Sequence, residues 1–285
     1  MHLEGVDDSH RISQNLDSGQ HLVKFLFLPI ETSAMSLHLT VITGASRGMG
    51  LGLAEQLLQQ GHRLLCISRS RAESLDALAQ QAQADLTQWQ ADLADAAPVA
   101  TRLTRWLAER DATDIASVTL INNAGVIPAL VPLRDADPQD LARALRIGLE
   151  APMLLTAAFL AATQNWTAVR KVLNISSGLG RRPMASQSAY CAAKAGMDHF
   201  TRCLALDEAL QPNGARVCAL APGVIDTDMQ VQLRHASLAT FPDQGNFAQL
   251  KAAGLLTSPH DAANRVLAYL QRPDFGSQPV ADVRG

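Results

Sequence analysis

The chain has 285 residues, of which 47% are apolar and 18% charged, and its formal net charge is −3. This length suits one large α/β domain or two small ones, with enough apolar side chains for a sizeable core. The charge is small and has no long run of one sign, so no nucleic-acid or acidic-membrane partner is predicted.

Cysteine usage and hydropathy narrow the class further. The four cysteines form no CxxC pair and no zinc-type spacing with histidine. This pattern predicts reduced thiols, no metal site and a cytoplasmic location. No apolar run approaches the ~20 residues that span a bilayer, so no membrane segment is expected.

Residues 1–36 differ in composition from the rest of the chain. The segment starts with acidic residues, and its apolar patch "HLVKFLFLPI" is interrupted by Lys24, whereas a secretory signal needs a basic start and an unbroken apolar core. A second methionine, Met35, stands just before the globular pattern begins. We therefore predict an N-terminal extension over 1–36, disordered or not native, and a single domain over 37–285.

From Leu37 onward, short apolar runs alternate with longer segments of helical spacing. The runs "LTVITGA", "RLLCISR", "VTLINNAG", "KVLNISSG" and "ARVCALAPG" are rich in Val, Ile and Leu, which is typical of strands buried on both faces. A glycine closes the helical segment "GMGLGLAEQLLQQG", and a serine N-cap is predicted at the start of "SQSAYCAAK". The alternation predicts an α/β fold with a doubly wound parallel sheet in one domain.

The first predicted strand runs into the turn "TGASRGMG", which opens a helix. Glycines here let the backbone approach a pyrophosphate, and the helix N-terminus offers free N–H groups and a positive dipole end. The GxxxGxG spacing is neither the GxGxxG fingerprint nor a P-loop, so a helix start with incidental glycines is the alternative. The candidate cofactor-binding residues of this turn are Gly44, Ser46, Arg47, Gly48, Met49 and Gly50.

The second predicted strand ends in "CISRSR". Many folds that prefer NAD place an acid there for the ribose 2′-hydroxyl, but this chain has Ser68 and Arg69. With Arg47 in the glycine turn, Arg69 makes a pair of guanidinium groups that suits a 2′-phosphate. We therefore predict NADP(H) as the cofactor, and two solvated surface arginines are the alternative.

The stretch "SAYCAAK" places Tyr190 and Lys194 at i and i+4, on one face of a predicted helix. A free tyrosine has a pKa of about 10, and a nearby ammonium lowers that value. Ser177, at the end of the strand before, carries a hydroxyl that can orient a carbonyl oxygen toward Tyr190. An isolated Tyr-x-x-x-Lys pair is most often ordinary helix surface. The ordered set of glycine turn, arginine, "NNAG", serine and Tyr–Lys favours a catalytic trio instead.

From about Leu37 to the C-terminus, "TGASRGMG", "NNAG", the Ser177–Tyr190–Lys194 spacing and "PGVIDTDM" resemble the short-chain dehydrogenase/reductases. The resemblance implies a Rossmann-type domain. It implies that Tyr190 is the general acid in carbonyl reduction, that Lys194 binds the nicotinamide ribose and lowers the tyrosine pKa, and that Ser177 holds the substrate oxygen. It also implies a homodimer built on the apolar helices around 144–163 and 188–210. Further implied cofactor contacts are Asp92 at the adenine, Asn123, Ala124 and Gly125 along the cofactor, and Pro222, Gly223 and Thr227 near the nicotinamide.

One position departs from the family pattern. Where the family carries an asparagine that helps to hold a water of the proton relay, this chain has Gly148, in "RIGLEAP". Glycine has no side chain to hydrogen-bond, so either a neighbour or a backbone carbonyl with water replaces the asparagine, or turnover is reduced. A working enzyme is still expected.

The C-terminal third is similar to sepiapterin reductases and bacterial benzil reductases in "DTDMQVQLR", "FPDQGNFAQLKAAGLLTSP" and "VADVRG". In sepiapterin reductases an aspartate near the C-terminus anchors the pterin, and Asp282 falls at the matching place. The resemblance therefore implies a substrate contact at Asp282, with a solvated tail residue as the alternative. Residues 230–256 are predicted to form a lid over the substrate.

The leading hypothesis is an NADPH-dependent carbonyl reductase whose partner is a small-molecule carbonyl substrate. The expected substrate is one carbonyl of a 1,2-dicarbonyl, such as benzil or the side chain of a pterin. A 3-oxoacyl thioester reductase is the alternative within the family, and a non-catalytic NADP-binding sensor is the alternative outside enzymes. Gly148 favours the sensor, whereas the intact Ser177–Tyr190–Lys194 set opposes it.

Overall fold

The computed structural model describes residues 37–284, so the predicted extension over 1–36 lies outside the described residues. Seven strands form one sheet, and every neighbouring pair in it is parallel. The strands are β1 Leu37–Thr43, β2 Arg63–Ser68, β3 Leu86–Gln90, β4 Ile115–Asn122, β5 Val169–Ile175, β6 Arg216–Ala221 and β7 Val280–Asp282. Their order across the sheet is β3-β2-β1-β4-β5-β6-β7.

Helices cover both faces of this sheet. They are α1 Gly48–Gln59, α2 Glu73–Ala82, α3 Ala96–Ala108, α4 Pro138–Leu145, α5 Ala151–Thr163, α6 Ser188–Ala209, α7 Asp228–Arg234, α8 Gln244–Ala252 and α9 Pro259–Leu270. One core cluster joins the sheet to α1, α2 and α9, and another joins it to α3, α5 and α6. The predicted doubly wound parallel sheet is confirmed.

The strands are apolar on both sides because each side meets a helical layer. Within β1, Val41 belongs to one core cluster and its neighbour Ile42 to the other, and both are fully buried. Successive side chains of a strand point to opposite faces, so a strand in the middle of three layers needs apolar residues at every position. This is why the runs read as continuous Val, Ile and Leu rather than as an alternation.

A π-helical turn, Arg146–Glu150, lies between α4 and α5 and interrupts the apolar helix predicted around 144–163. Pro152 lacks an N–H, and its ring crowds the carbonyl four residues back, which belongs to Gly148. A wider turn relieves this crowding, and such turns often lie at functional sites. The turn sets how Gly148 faces α6.

The helix that runs from Pro138 to Thr163 is, by length and composition, long and apolar enough to cross a membrane, which the sequence analysis did not anticipate. In the fold, 44% of its most apolar window is buried. Leu155 and Phe159 on this helix are fully buried in the core cluster shared with α3 and α6. Core packing therefore accounts for part of its apolar character.

Two helix ends were predicted from single residues, with different outcomes. Gly61 follows α1 with φ +79°, a backbone conformation that glycine adopts readily, so the predicted C-terminal glycine is confirmed. The serine N-cap predicted for α6 is wrong, because Gln187 stands at that position and makes no capping bond. Ser186 instead donates its hydroxyl to the carbonyl of Thr240, between α7 and α8.

Candidate active site

A cleft of about 960 Å³ opens at the carboxyl ends of the strands. It spans the point between β1 and β4 where the strand order reverses, which is where open α/β sheets bind ligands. Its walls come from the turns after β1, β2, β4, β5 and β6 and from α6. The predicted residues that line it are Gly44, Ser46, Arg47, Gly48, Met49, Gly50, Arg69, Asp92, Asn123, Ala124, Gly125, Ser177, Tyr190, Lys194, Pro222, Gly223 and Thr227.

Three glycines shape the turn between β1 and α1. Gly44 and Gly48 have φ values of +70° and +56°, which residues with a side chain rarely adopt. Gly50 is required by space, because a Cβ there would lie 2.1 Å from the Gly44 carbonyl oxygen. The turn thus presents bare backbone and the N-terminus of α1 to the cleft. A diphosphate group fits such a cradle.

The "NNAG" segment after β4 fastens this turn from the other side. The Asn123 side-chain amide donates to the carbonyls of Thr43 and Gly44, at 3.0 and 3.1 Å. In return, Thr43 Oγ1 accepts from the backbone N–H groups of Asn123 and Ala124, each at 3.0 Å. These reciprocal bonds hold the floor of the cleft in one shape, which lowers the ordering cost of binding a ligand there.

The two arginines predicted at the 2′-phosphate both line the cleft, but their surroundings differ. Arg47 Nη1 lies 2.7 Å from Asp228 Oδ2, in an ion pair of two exposed side chains. Arg69 is exposed at the end of β2. Asp92, the predicted adenine contact, accepts a hydrogen bond from Arg143 at 2.9 Å. The Arg47–Asp228 pair joins the glycine turn to the start of α7, and the sequence analysis did not anticipate it.

Ser177, Tyr190 and Lys194 lie together in the deep part of the cleft. Ser177 follows β5, and α6 carries the other two. Tyr190 and Lys194 are buried, with 8% and 4% of their surface exposed. Lys194 Nζ lies 5.8 Å from the centroid of the Tyr190 ring and donates to the Ile175 carbonyl at 2.7 Å. The structure therefore brings the predicted trio into one site.

Burial is the largest influence on the pKa values of Tyr190 and Lys194. It raises the pKa of Tyr190, and the hydrogen bond with Ser177 acts in the opposite direction. Burial lowers the pKa of Lys194 to about 8, and the charge of Asp198 opposes that change. Tyr190 is thus held as a neutral phenol, the form that can donate a proton. From the sequence, Lys194 is predicted to lower the pKa of Tyr190. The net direction of the tyrosine pKa is upward because burial dominates, and the effect of the ammonium stays a prediction.

The substrate end of the cleft is closed by α7, α8 and the loop before α6. Leu233, Phe247 and Met184 give it an apolar wall. Phe241, in the connection between α7 and α8, is fully buried and packs with Leu130 and Leu233 in a small cluster of its own. Residues of the predicted lid, 230–256, therefore do line this end.

A model of the short chain dehydrogenase family matches residues 38–238. The chain belongs to this family. Its members are oxidoreductases that act on carbonyl or hydroxyl groups with a nicotinamide cofactor, so this short-chain dehydrogenase is an enzyme of that kind.

Relatives of this short-chain dehydrogenase include two named reductases. It is 34% identical to the benzil reductase ((S)-benzoin forming) of Bacillus cereus over 235 residues, which are 82% of this chain and 94% of that one. It is 32% identical to the sepiapterin reductase of Meriones unguiculatus over 266 residues, 89% of this chain and 98% of that one. A solved short-chain dehydrogenase/reductase from Burkholderia vietnamiensis superposes with a TM-score of 0.58 at 35% identity, covering 88% and 99% of the two chains. The predicted branch of the family is confirmed.

In this short-chain dehydrogenase, the place of the relay asparagine is closed by packing. A Cβ at Gly148 would lie 3.0 Å from the Cβ of Ala193, one residue before Lys194 on α6. That distance is shorter than ordinary van der Waals contact, so an asparagine would require α6 to shift. The absence of a side chain at Gly148 therefore allows the π-helical turn to pack closely against α6, the helix that carries Tyr190 and Lys194.

Asp282, the predicted substrate contact, is not among the residues that line the cleft. Arg284 engages its carboxylate through Nε at 2.8 Å and Nη2 at 2.7 Å, and through its backbone N–H at 3.0 Å. Arg284 itself lines the cleft. At this wall of the site the structure thus presents a guanidinium rather than the predicted carboxylate.

Gln230, the first residue of the predicted lid, is a site residue that the sequence did not single out. It lies on α7, is 6% exposed, and lines the cleft. Its side-chain oxygen has no hydrogen-bond partner among residues 37–284. A buried acceptor of this kind is normally satisfied by some donor. No local signal marks it, because a glutamine after "TDM" also suits an exposed helix position.

Proposed function

We propose that this enzyme reduces a ketone with NADPH, and that its substrate is one carbonyl of a small 1,2-dicarbonyl compound. The observation that carries the proposal is that Ser177 meets the buried Tyr190 and Lys194 in the cleft. The name of the benzil reductase relative supports the substrate class, because benzil is a 1,2-diketone. The sepiapterin reductase relative supports a related carbonyl on a pterin.

Each member of the trio has a distinct part in the proton transfer. Bound reduced nicotinamide supplies the hydride that reduces the carbonyl carbon. Tyr190 gives its phenolic proton to the carbonyl oxygen, so the product is an alcohol. Ser177 Oγ accepts the N–H of Leu179 at 3.1 Å, and its hydroxyl, which hydrogen-bonds Tyr190, can donate to the same oxygen when a substrate is bound. The ammonium of Lys194 stabilises the phenolate that remains.

The residues at the end of β2 support a preference for NADP(H). Ser68 stands where an acid would select the 2′-hydroxyl, and its Oγ already accepts the N–H of Ala45 at 2.9 Å. Arg69 beside it is exposed at the cleft and can hold a 2′-phosphate. Arg47 can bind the same 2′-phosphate only if its ion pair with Asp228 is shared or broken.

The substrate end supports a molecule with apolar groups around two neighbouring oxygens. Met184, Leu233 and Phe247 suit aryl or alkyl groups. The side-chain N–H of Gln230 can donate to a carbonyl oxygen next to the reacting one, and its Oε1 can accept from a hydroxyl at that position. Arg284 adds a basic group at the wall.

We further propose that the enzyme is a cytoplasmic homodimer. Leu206 and Leu210 at the end of α6 are 71% and 82% exposed, and Leu145 and Met153 on α4 and α5 are partly exposed. Such apolar side chains on neighbouring helices suit a symmetric helix-to-helix interface. A Leu206→Arg, Leu210→Arg double variant should elute as a monomer in size-exclusion chromatography with light scattering.

The deciding experiment follows NADPH oxidation with benzil and with sepiapterin, for the wild type and Tyr190→Phe. Loss of the phenolic proton should lower kcat at least about 100-fold while NADPH still binds. Tyr269→Phe, away from the cleft, is the matched control and should keep full activity. Tight NADPH binding without oxidation across a carbonyl panel would instead identify a sensor.

A further inference from the structure

A buried carboxylate lies one helical turn beyond Lys194. Tyr190, Lys194 and Asp198 follow at intervals of four along α6 and so share one face of the helix. Asp198 is 2% exposed. A carboxylate this far removed from water is stable only where hydrogen bonds and opposite charge compensate it.

The contacts of Asp198 reach the strands on both sides of the site. One carboxylate oxygen accepts the hydroxyl of Ser176, the residue before Ser177 at the end of β5. The other oxygen accepts Arg181 Nε at 3.0 Å. Arg181 also donates from Nη2 to the carbonyl of Ala281 in β7, at 3.0 Å. Asp198 thus links α6 to the ends of β5 and β7.

The loop after β5 presses tightly against this face of α6. A Cβ at Gly180 would lie 2.9 Å from the Lys194 carbonyl oxygen and 3.0 Å from Asp198 Oδ2. There is no room for a side chain between the loop and the helix. The carboxylate is therefore held in place by packing as well as by its hydrogen bonds.

The charged and titratable groups around this carboxylate are few. Lys194 and Tyr190 lie on α6 itself, Arg181 on the loop, and the buried thiol of Cys218 on β6. Asp198 is the anion that acts on the Lys194 ammonium and favours its charged form. Arg181 binds one oxygen of this carboxylate, so it weakens that influence.

We propose that Asp198 is a positioning residue for the proton-transfer step: it keeps Lys194 charged and fixes α6 against the segment that carries Ser177. Arg181 sets the strength of this effect by sharing the carboxylate. The inference rests on the proposed function for its link to turnover, but the charge coupling between Asp198 and Lys194 does not.

The first test is Asp198→Asn, which removes the charge and keeps the shape. Lys194 is active as an ammonium and loses its proton as pH rises. Without Asp198 it loses that proton earlier, so the alkaline limb of the kcat profile should move down by about one pH unit. At pH values above both limbs, kcat should be about 10-fold lower than in the wild type, whereas at pH 7 it should fall only about 2-fold. KM should change little, because Asp198 does not line the cleft.

A second pair of variants separates charge from structure. Arg181→Gln removes the competing cation, so the alkaline limb should move up, opposite to Asp198→Asn. Ser176→Ala removes a hydrogen bond but no charge, so it should lower kcat without moving the limb. Arg181 is partly exposed, at 36% of its side chain, so this variant keeps the test decisive if Asp198→Asn fails to fold.

The same three variants are measured for the pH dependence of the NADPH dissociation constant, which needs no substrate. Opposite displacements of the two charge variants in either measurement support the proposal. The proposal is overturned if all three variants lose kcat equally while the alkaline limb and the pH profile of NADPH binding stay where they are. Asp198 would then be a packing residue only. If the wild type reduces no carbonyl while the pH profile of NADPH binding moves in opposite directions in Asp198→Asn and Arg181→Gln, the proposed function fails. In that case the charge coupling between Asp198 and Lys194 stands.

Discussion

The two ends of the cleft are built in different ways. At the cofactor end, backbone groups make the surface, and Asn123 and Thr43 fasten them by reciprocal hydrogen bonds. At the substrate end, side chains make the surface, carried by the short helices α7 and α8, and α8 has no fully buried residue. Rigid backbone recognises what every member of the family binds, whereas the loosely anchored helices carry what distinguishes one substrate from another.

The largest effect is expected at the cofactor end, for Gly50→Ala. The added methyl would lie 2.1 Å from the Gly44 carbonyl, so the turn has to open. We expect a loss of about 3 kcal/mol of unfolding free energy. NADPH binding should weaken about 100-fold if the distortion costs a similar amount in the bound state. Chemical denaturation and fluorescence titration measure both.

Gly61→Ala is the matched control, since a Cβ there meets nothing within 4 Å. It should lose about 1 kcal/mol because of its positive φ and keep NADPH affinity. Equal binding losses in the two variants would contradict the idea that the cofactor end depends on close backbone packing.

A smaller effect is expected at the substrate end, for Gln230→Leu. The oxygen next to the reacting carbonyl would lose its partner, so kcat/KM for a 1,2-diketone should fall about 10- to 100-fold. The same variant should reduce a simple monoketone about as well as the wild type. NADPH-oxidation kinetics with matched diketone and monoketone substrates give both numbers.

Gln232 lies two residues along α7, is exposed and does not line the cleft, so Gln232→Leu should leave the kinetics with both substrates unchanged. An equal loss for diketone and monoketone in Gln230→Leu would assign Gln230 to lid packing rather than to specificity.

The smallest effect is expected where the two ends meet, for Asp228→Ala. This frees Arg47, so NADPH should bind about 2- to 5-fold more tightly, as befits an exposed ion pair. NADH has no 2′-phosphate and should gain little, which makes it the internal control in isothermal titration. Equal gains for both cofactors would show that Arg47 does not read the 2′-phosphate.

Sequence reasoning succeeded where neighbours in the chain are neighbours in space. The glycine turn, "NNAG" and the Tyr190–Lys194 pair are local patterns, and every site residue predicted from them lines the cleft. It failed where packing between distant segments decides. Arg47 and Asp228 are 181 positions apart, and no pattern links them.

Two further features, the contacts of Asp282 and the break between α4 and α5, were not predicted from the sequence. Asp282 sits at the predicted place, but the backbone and side chain of Arg284 engage it locally and turn a different group to the cleft. The interruption at Arg146–Glu150 had a signal in Pro152, which the helical periodicity of the surrounding residues concealed.

The cluster of Leu130, Leu233 and Phe241 stands apart from both large cores. Its few buried groups give α7 and α8 a local stability well below that of the sheet. We therefore expect these helices to open more readily than the strands. Exchange of substrate and product then depends on a sub-global opening, and moderate heating would impair turnover before it melts the domain.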